Sequence, residues 1–229
     1  MNNSQQNILL IDKPSEWTSF DVVAKIRGQI KAAYRAQGEK PTKRQLKVGH
    51  AGTLDPFATG LLIILLGDAT KQAGEFLKLD KVYEATFRLG QTSTTGDPEG
   101  SITNTSDRIP TREEVEQAIQ QFIGEITQTP PAYSAIKING QRAYKLAREG
   151  KDVDVPERIV TIYSIELLDY SYPEVKIRTH VGSGTYIRTL GEDIGKSLRT
   201  GAFCSQLRRT RIGDYDITNA TTIAHYLAI

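Results

Sequence analysis

The chain has 229 residues, 38% hydrophobic and 24% charged, enough for one large domain or two small ones with a real core. A lone cysteine, Cys204, excludes an internal disulfide. The three histidines are too scattered for a zinc site, and no apolar run approaches the roughly 18 residues of a membrane span. Net charge is +2, but residues 25–47, 137–151 and 196–211 carry net +7, +4 and +5, leaving −14 on the remainder. That pattern suits a groove for a polyanion, although each segment alone also reads as a solvated helix face. The N-terminus, Met1 to Gln6, has neither the charged nor the apolar stretch of a signal peptide. These features predict a soluble, cytoplasmic protein with no membrane partner and no metal.

In chain order, Asn7–Asp12 reads as a short strand that Pro14 breaks, and Ser19 can cap a helix over about 20–36, with Val22, Val23, Ile26 and Ile30 on one face. Residues 37–48 are polar and basic. They read either as a disordered surface loop or as an arm ordered by an anionic partner. The segment GHAGTLDPFATG (49–60) then feeds the apolar run Leu61–Leu66, which suits a strand buried on both faces. Asp55 lies between the two, held extended by Pro56. A rigid loop entering a buried strand is where a scaffold places a catalytic carboxylate, but Asp-Pro equally starts an ordinary turn.

Asp68 can cap a short helix through Phe76, and Lys81–Leu89 alternates, with Tyr83, Ala85, Phe87 and Leu89 on one side. Residues 91–108 read as loop with a turn at 96–100, and Thr111 to Glu114 is a capping box for a helix that Gly124 ends. Between 128 and 150, aromatics interleave with bases (Tyr133, Lys137, Arg142, Tyr144, Lys145, Arg148), which fits base stacking plus phosphate contact. Arg158–Tyr170 and Glu174–Val181 read as strands, a helix runs from the glycines at 182 and 184 to about Leu198, and a short helix at about 221–227 follows. Strands and helices do not alternate as βαβ units. The expected class is α+β, a mixed, largely antiparallel central sheet with flanking helices.

Residues 49–62 closely resemble the catalytic motif of the TruB family, the tRNA pseudouridine-55 synthases, G-H-x-G-T-L-D-P-x-A-T-G-L-L. The stretch from Asp12 to Ser19 resembles the family's D-K-P-x-G-x-T-S, with Glu16 in place of glycine. Val181-Gly182-Ser183 stands where the family has Cys-Ser-Lys before G-T-Y-I-R, so a backbone-contacting lysine is absent. Gln206 to Gly213 matches a further family segment, and about 125–152 resembles the family's RNA-gripping insertion. The resemblance covers nearly the whole chain. It implies a pseudouridine synthase catalytic domain over 1–229, without the C-terminal PUA domain of most bacterial members.

What it implies chemically is isomerisation of uridine 55 in the TΨC stem-loop of tRNA, by a monomer, with base flipping and no cofactor. Asp55 would be the catalytic residue, attacking C1′ or C6, or assisting proton removal at C2′. Arg188 would pair with Asp55, and Tyr83 would stack on the uracil. Tyr186 and Leu207 would line the uracil pocket, and His50 would enter the RNA stack where the target leaves. RNA-backbone candidates are Lys13, Lys43, Arg44, Lys137, Arg142 and Lys145. Two other classes stay open. One is a non-catalytic RNA-binding or tRNA-folding protein using the same basic surface. The other is a glycosidase-like hydrolase, which needs a second carboxylate about 5–10 Å from Asp55.

Overall fold

The computed structural model describes residues 7–134, 136–138, 140–151 and 154–228. In chain order the first elements are β1 (Ile8–Lys13), α1 (Ser19–Ala36), β2 (Val48–His50), β3 (Thr59–Leu66), α2 (Ala73–Lys78) and β4 (Lys81–Leu89). Next come β5 (Gln91–Ser93), β6 (Ile102–Asn104), α3 (Arg112–Gln120), β7 (Gly124–Gln128), β8 (Lys137–Ile138), β9 (Gln141–Arg142) and α4 (Ala143–Arg148). The last are β10 (Arg158–Ser171), β11 (Glu174–Val181), α5 (Ile187–Ser197), β12 (Ala202–Ile212), β13 (Tyr215–Asp216), β14 (Thr221–Thr222) and α6 (Ile223–Ala228). The architecture is α+β with a large, mostly antiparallel sheet, as the element order predicts. No helix among the described residues is long and apolar enough to cross a membrane.

The chain divides into two compact units, residues up to Tyr83 together with Arg208–Ile229, and Glu84–Leu207. In the first, the strand order is β14-β1-β3-β12, with β2 also on β3 and β13 on β12. β3 organises this unit, because Leu61 to Leu65 are all fully buried. Leu62 and Ile64 pack with Ile11, Val22, Val23 and Ile26, while Leu61, Ile63 and Leu65 pack with Ala51, Phe76 and Ile212. Each such side chain stabilises the fold by about 1.5–3 kcal/mol. The apolar run is therefore a strand sandwiched on both faces, as its composition predicts.

In the second unit the order is β4-β11-β10-β7, antiparallel where β10 meets β11 and β7. Helix α3 carries the predicted capping box, with Thr111 Oγ1 accepting from the Glu114 amide at 3.2 Å and Glu114 from the Thr111 amide at 2.8 Å.

Local differences from the expectation have simple causes. Helix α1 is capped by Thr18, in a box with Asp21, because the Ser19 hydroxyl is engaged elsewhere. The segment 91–108 holds a two-stranded hairpin, β5 with β6, around the turn at 96–100. Gly124 has φ of 109° and opens β7 rather than closing α3, whose C-cap is Gln121.

Candidate active site

Asp55 is half-buried, in a loop tied down through the backbone of its neighbours. On one side, the Leu54 amide donates to Ser19 Oγ at 2.8 Å, and that hydroxyl donates back to the Leu54 carbonyl at 3.1 Å. On the other, the Pro56 carbonyl accepts from the Glu16 amide at 2.8 Å and from Lys13 Nζ at 3.2 Å. The Asp55 carbonyl itself accepts from the Ala58 amide at 3.1 Å. The stretch 12–19 thus forms the bed of the loop that carries Asp55.

The expectation for Lys13 is overturned. It is fully buried and its ammonium donates to the carbonyls of Pro14, Trp17 and Pro56. It holds the loop and does not present itself to an RNA phosphate. Glu16, standing where the resembling motif has glycine, has φ of 67°, in the left-handed region that favours glycine.

His50 ends β2, five positions before Asp55, with Nδ1 buried and without a hydrogen-bond partner among the described residues. Burial first, and then the positive charge of Arg209, hold its pKa below the ordinary imidazole value, so the ring is neutral near pH 7. Tyr83 lies in β4, 9% exposed. The basic segment 37–48 is a folded turn. Thr42 and Gln45 cap each other, Arg27 donates to the carbonyls of Leu46 and Val48, and Arg44 pairs with Asp68. Lys40, Lys43, Arg44 and Lys47 are exposed around it.

In the second unit, Arg188 lies in the first turn of α5, 4% exposed. Its guanidinium donates to Asp97 Oδ2 at 2.9 Å, to the Thr95 carbonyl at 2.7 Å and to the Tyr133 carbonyl at 2.9 Å. Asp97 is equally buried, and its Oδ1 accepts from the Glu99 amide at 3.0 Å and from Thr95 Oγ1. Two residues before Arg188, the Tyr186 backbone is gripped by the Gln128 amide group, which accepts from its N–H at 3.1 Å and donates to its carbonyl at 3.2 Å. The Arg158 guanidinium lies 4.7 Å from the Tyr186 ring centroid. Leu207 is 8% exposed in β12. Arg142 and Lys145 are exposed on β9 and α4, whereas the side chain of Lys137 lies outside the described residues.

Residues 40–187 match the family model of the TruB family pseudouridylate synthase N-terminal domain, and residues 188–228 match that of the tRNA pseudouridylate synthase B C-terminal domain. The chain belongs to the TruB family. It is 47% identical to the tRNA pseudouridine synthase B of Phocaeicola vulgatus over 99% of this chain and 94% of that protein. The tRNA pseudouridine synthase B of Dechloromonas aromatica is 43% identical over 95% of this chain and 68% of its own length. Among solved structures, the chain is similar to a chain of a Cbf5-Nop10-Gar1 complex, with TM-score 0.71 and 29% identity, covering 97% of this chain and 54% of that one. It is also similar to a chain of an H/ACA RNP bound to a substrate RNA containing 2′-deoxyuridine, at TM-score 0.70 and 27% identity, over 98% and 53%. The chain therefore spans about half the length of these two structural relatives.

Three residues that shape this TruB chain are not evident from sequence. Ser19 looks like a helix cap, Gln128 like the start of an insertion, and Asp97 like an ordinary turn residue. The one signal available is at Asp97, whose Asp97-Pro98 repeats the dipeptide at Asp55-Pro56.

Proposed function

We propose that this chain isomerises uridine 55 in the TΨC stem-loop of tRNA to pseudouridine, as a cytoplasmic monomer, with Asp55 as the catalytic carboxylate. Family membership supports the reaction class. The loop around Asp55 supports the residue, because its neighbours on both sides are fixed through backbone atoms. A carboxylate must be held to within a fraction of an ångström to act on a sugar or base carbon, and a loop clamped through its backbone contributes to this.

The N1–C1′ bond breaks, the uracil turns, and C5 bonds to C1′ with loss of the C5 proton, while N1 takes up a proton. No electrons enter or leave, so the isomerisation balances without a co-reactant. The target base leaves its stack before it reacts. Tyr83 stacks on the uracil and takes part in proton transfer, and Tyr186 and Leu207 line its pocket. Arg188, fixed in orientation by Asp97, is assigned as the partner of the Asp55 carboxylate, keeping it ionised. His50, held neutral, enters the RNA stack at a lower desolvation cost than a cation would. Lys43, Arg44, Lys137, Arg142 and Lys145 are assigned to the RNA backbone, the last three from the gripping insertion at about 125–152.

The test is tritium release from a tRNA transcript carrying uridine labelled at C5. The parent should release tritium, and Asp55→Asn should release none while binding the transcript with nearly parental affinity. A parent chain that binds tRNA tightly and releases no tritium would be an RNA-binding protein without this activity.

A further inference from the structure

Arg209 is 1% exposed, a cation inside the first unit. A buried guanidinium is costly unless its donors are satisfied. Here they are satisfied by main-chain oxygens. Nε donates to the Leu61 carbonyl at 2.8 Å, one terminal nitrogen to the Gly52 carbonyl at 3.0 Å, and the other reaches the Thr53 carbonyl at 3.5 Å. These carbonyls bracket Asp55 in sequence, two before it and one after. No other side chain among the described residues is seen to bridge both flanks of the loop in this way.

The placement is built in at the backbone level. Arg209 stands opposite Gly60 in the parallel register of β12 with β3. Gly60 has φ of 104°, and a Cβ there would lie 2.3 Å from the Arg209 carbonyl oxygen and 2.8 Å from its nitrogen. Only glycine allows this approach. The planar fork, with donors in fixed directions, then reaches carbonyls that a single-point ammonium cannot reach together.

We propose that Arg209 is a positioning residue for the reaction, its guanidinium fixing the carbonyls of Gly52, Thr53 and Leu61 and so setting where Asp55 presents its carboxylate. The proposal rests on Asp55 being the catalytic group. Ser19 and Lys13 secure the loop at Leu54 and Pro56, and Arg209 secures its two ends. The same buried charge reaches beyond the loop. After burial, it is the second cause holding His50 below its usual pKa, and likewise for Lys81, pushed down to about 8.

The test compares Arg209→Lys and Arg209→Gln with the parent in three measurements: thermal unfolding, affinity for a tRNA transcript, and single-turnover rate at saturating transcript. The expected result is a folded Arg209→Lys whose affinity stays within about threefold and whose single-turnover rate falls on the order of 100-fold, the scale of a 1 Å misplacement. Arg209→Gln should be slower still, because it loses the charge and part of the fork. A folded Arg209→Lys with the parent's single-turnover rate overturns the proposal. So do variants that unfold, or that lose rate only in proportion to their folded fraction, since Arg209 would then be a core residue alone. Asp55→Asn in the same assay separates the two claims. Activity in Asp55→Asn removes the reading of Asp55, whereas an inactive Asp55→Asn beside an unchanged Arg209→Lys removes only the role of Arg209.

Discussion

The sequence contains Asp-Pro at 55–56 and again at 97–98, and the two aspartates differ in burial. At Asp97 the side chain is what the fold holds. It is 2% exposed, paired with Arg188, and it accepts from the Glu99 amide. At Asp55 the fold holds the flanking backbone, through Ser19, Lys13 and Glu16, and leaves the residue half-buried. Proline fixes the backbone of the residue before it in both cases. The same dipeptide thus sits in one fully buried and one half-buried setting.

The two aspartates should therefore respond differently to the same substitution. Asp55→Asn should abolish isomerisation yet cost less unfolding free energy than the same change at Asp97, since Asp55 is half-buried and Asp97 fully buried. Asp97→Asn should cost about 3–5 kcal/mol in denaturant unfolding, because it breaks the buried ion pair with the Arg188 guanidinium. Turnover should fall with it. Equal stability losses at the two aspartates would erase the distinction.

A smaller effect is expected at the folded basic turn. Replacing Lys40, Lys43, Arg44 and Lys47 by Ser should weaken tRNA binding and flatten the log–log salt slope by up to about 0.9 for each phosphate no longer neutralised. Equal affinity and slope for mutant and parent would show that the turn does not touch the RNA. The smallest effect is at the bed of the Asp55 loop. Glu16→Gly should raise unfolding free energy by about 0.5–1 kcal/mol, the left-handed strain relieved less the entropy glycine adds to the unfolded chain. A destabilised variant would mean that the Glu16 side chain stabilises the loop.

Much of the fold is legible in the sequence. The run at 61–66, the alternation of 81–89 and the capping box at 111–114 each follow from a local rule that tertiary structure reinforces. What is not legible is set by long-range contact. Nothing in the sequence marks β12, because Arg208, Arg209 and Arg211 look like a solvated basic run. In the fold Arg208 makes a two-pronged pair with Asp12, at 2.7 and 3.1 Å, and Arg209 is buried on carbonyls. Part of the +5 charge in that segment is therefore internal. Lys13 misleads for the same reason, since nothing local in its sequence distinguishes a lysine that binds phosphate from one that holds the Pro56 carbonyl, 43 residues away in the chain.

We propose that this TruB chain makes pseudouridine at one position of tRNA through Asp55. The most direct measurement is carbodiimide labelling and primer extension on an unmodified tRNA transcript, incubated with the parent or with Asp55→Asn. The expected result is a single new stop reporting pseudouridine at nucleotide 55 with the parent and none with Asp55→Asn. No stop with the parent, a stop at another nucleotide, or a stop that survives Asp55→Asn would contradict it.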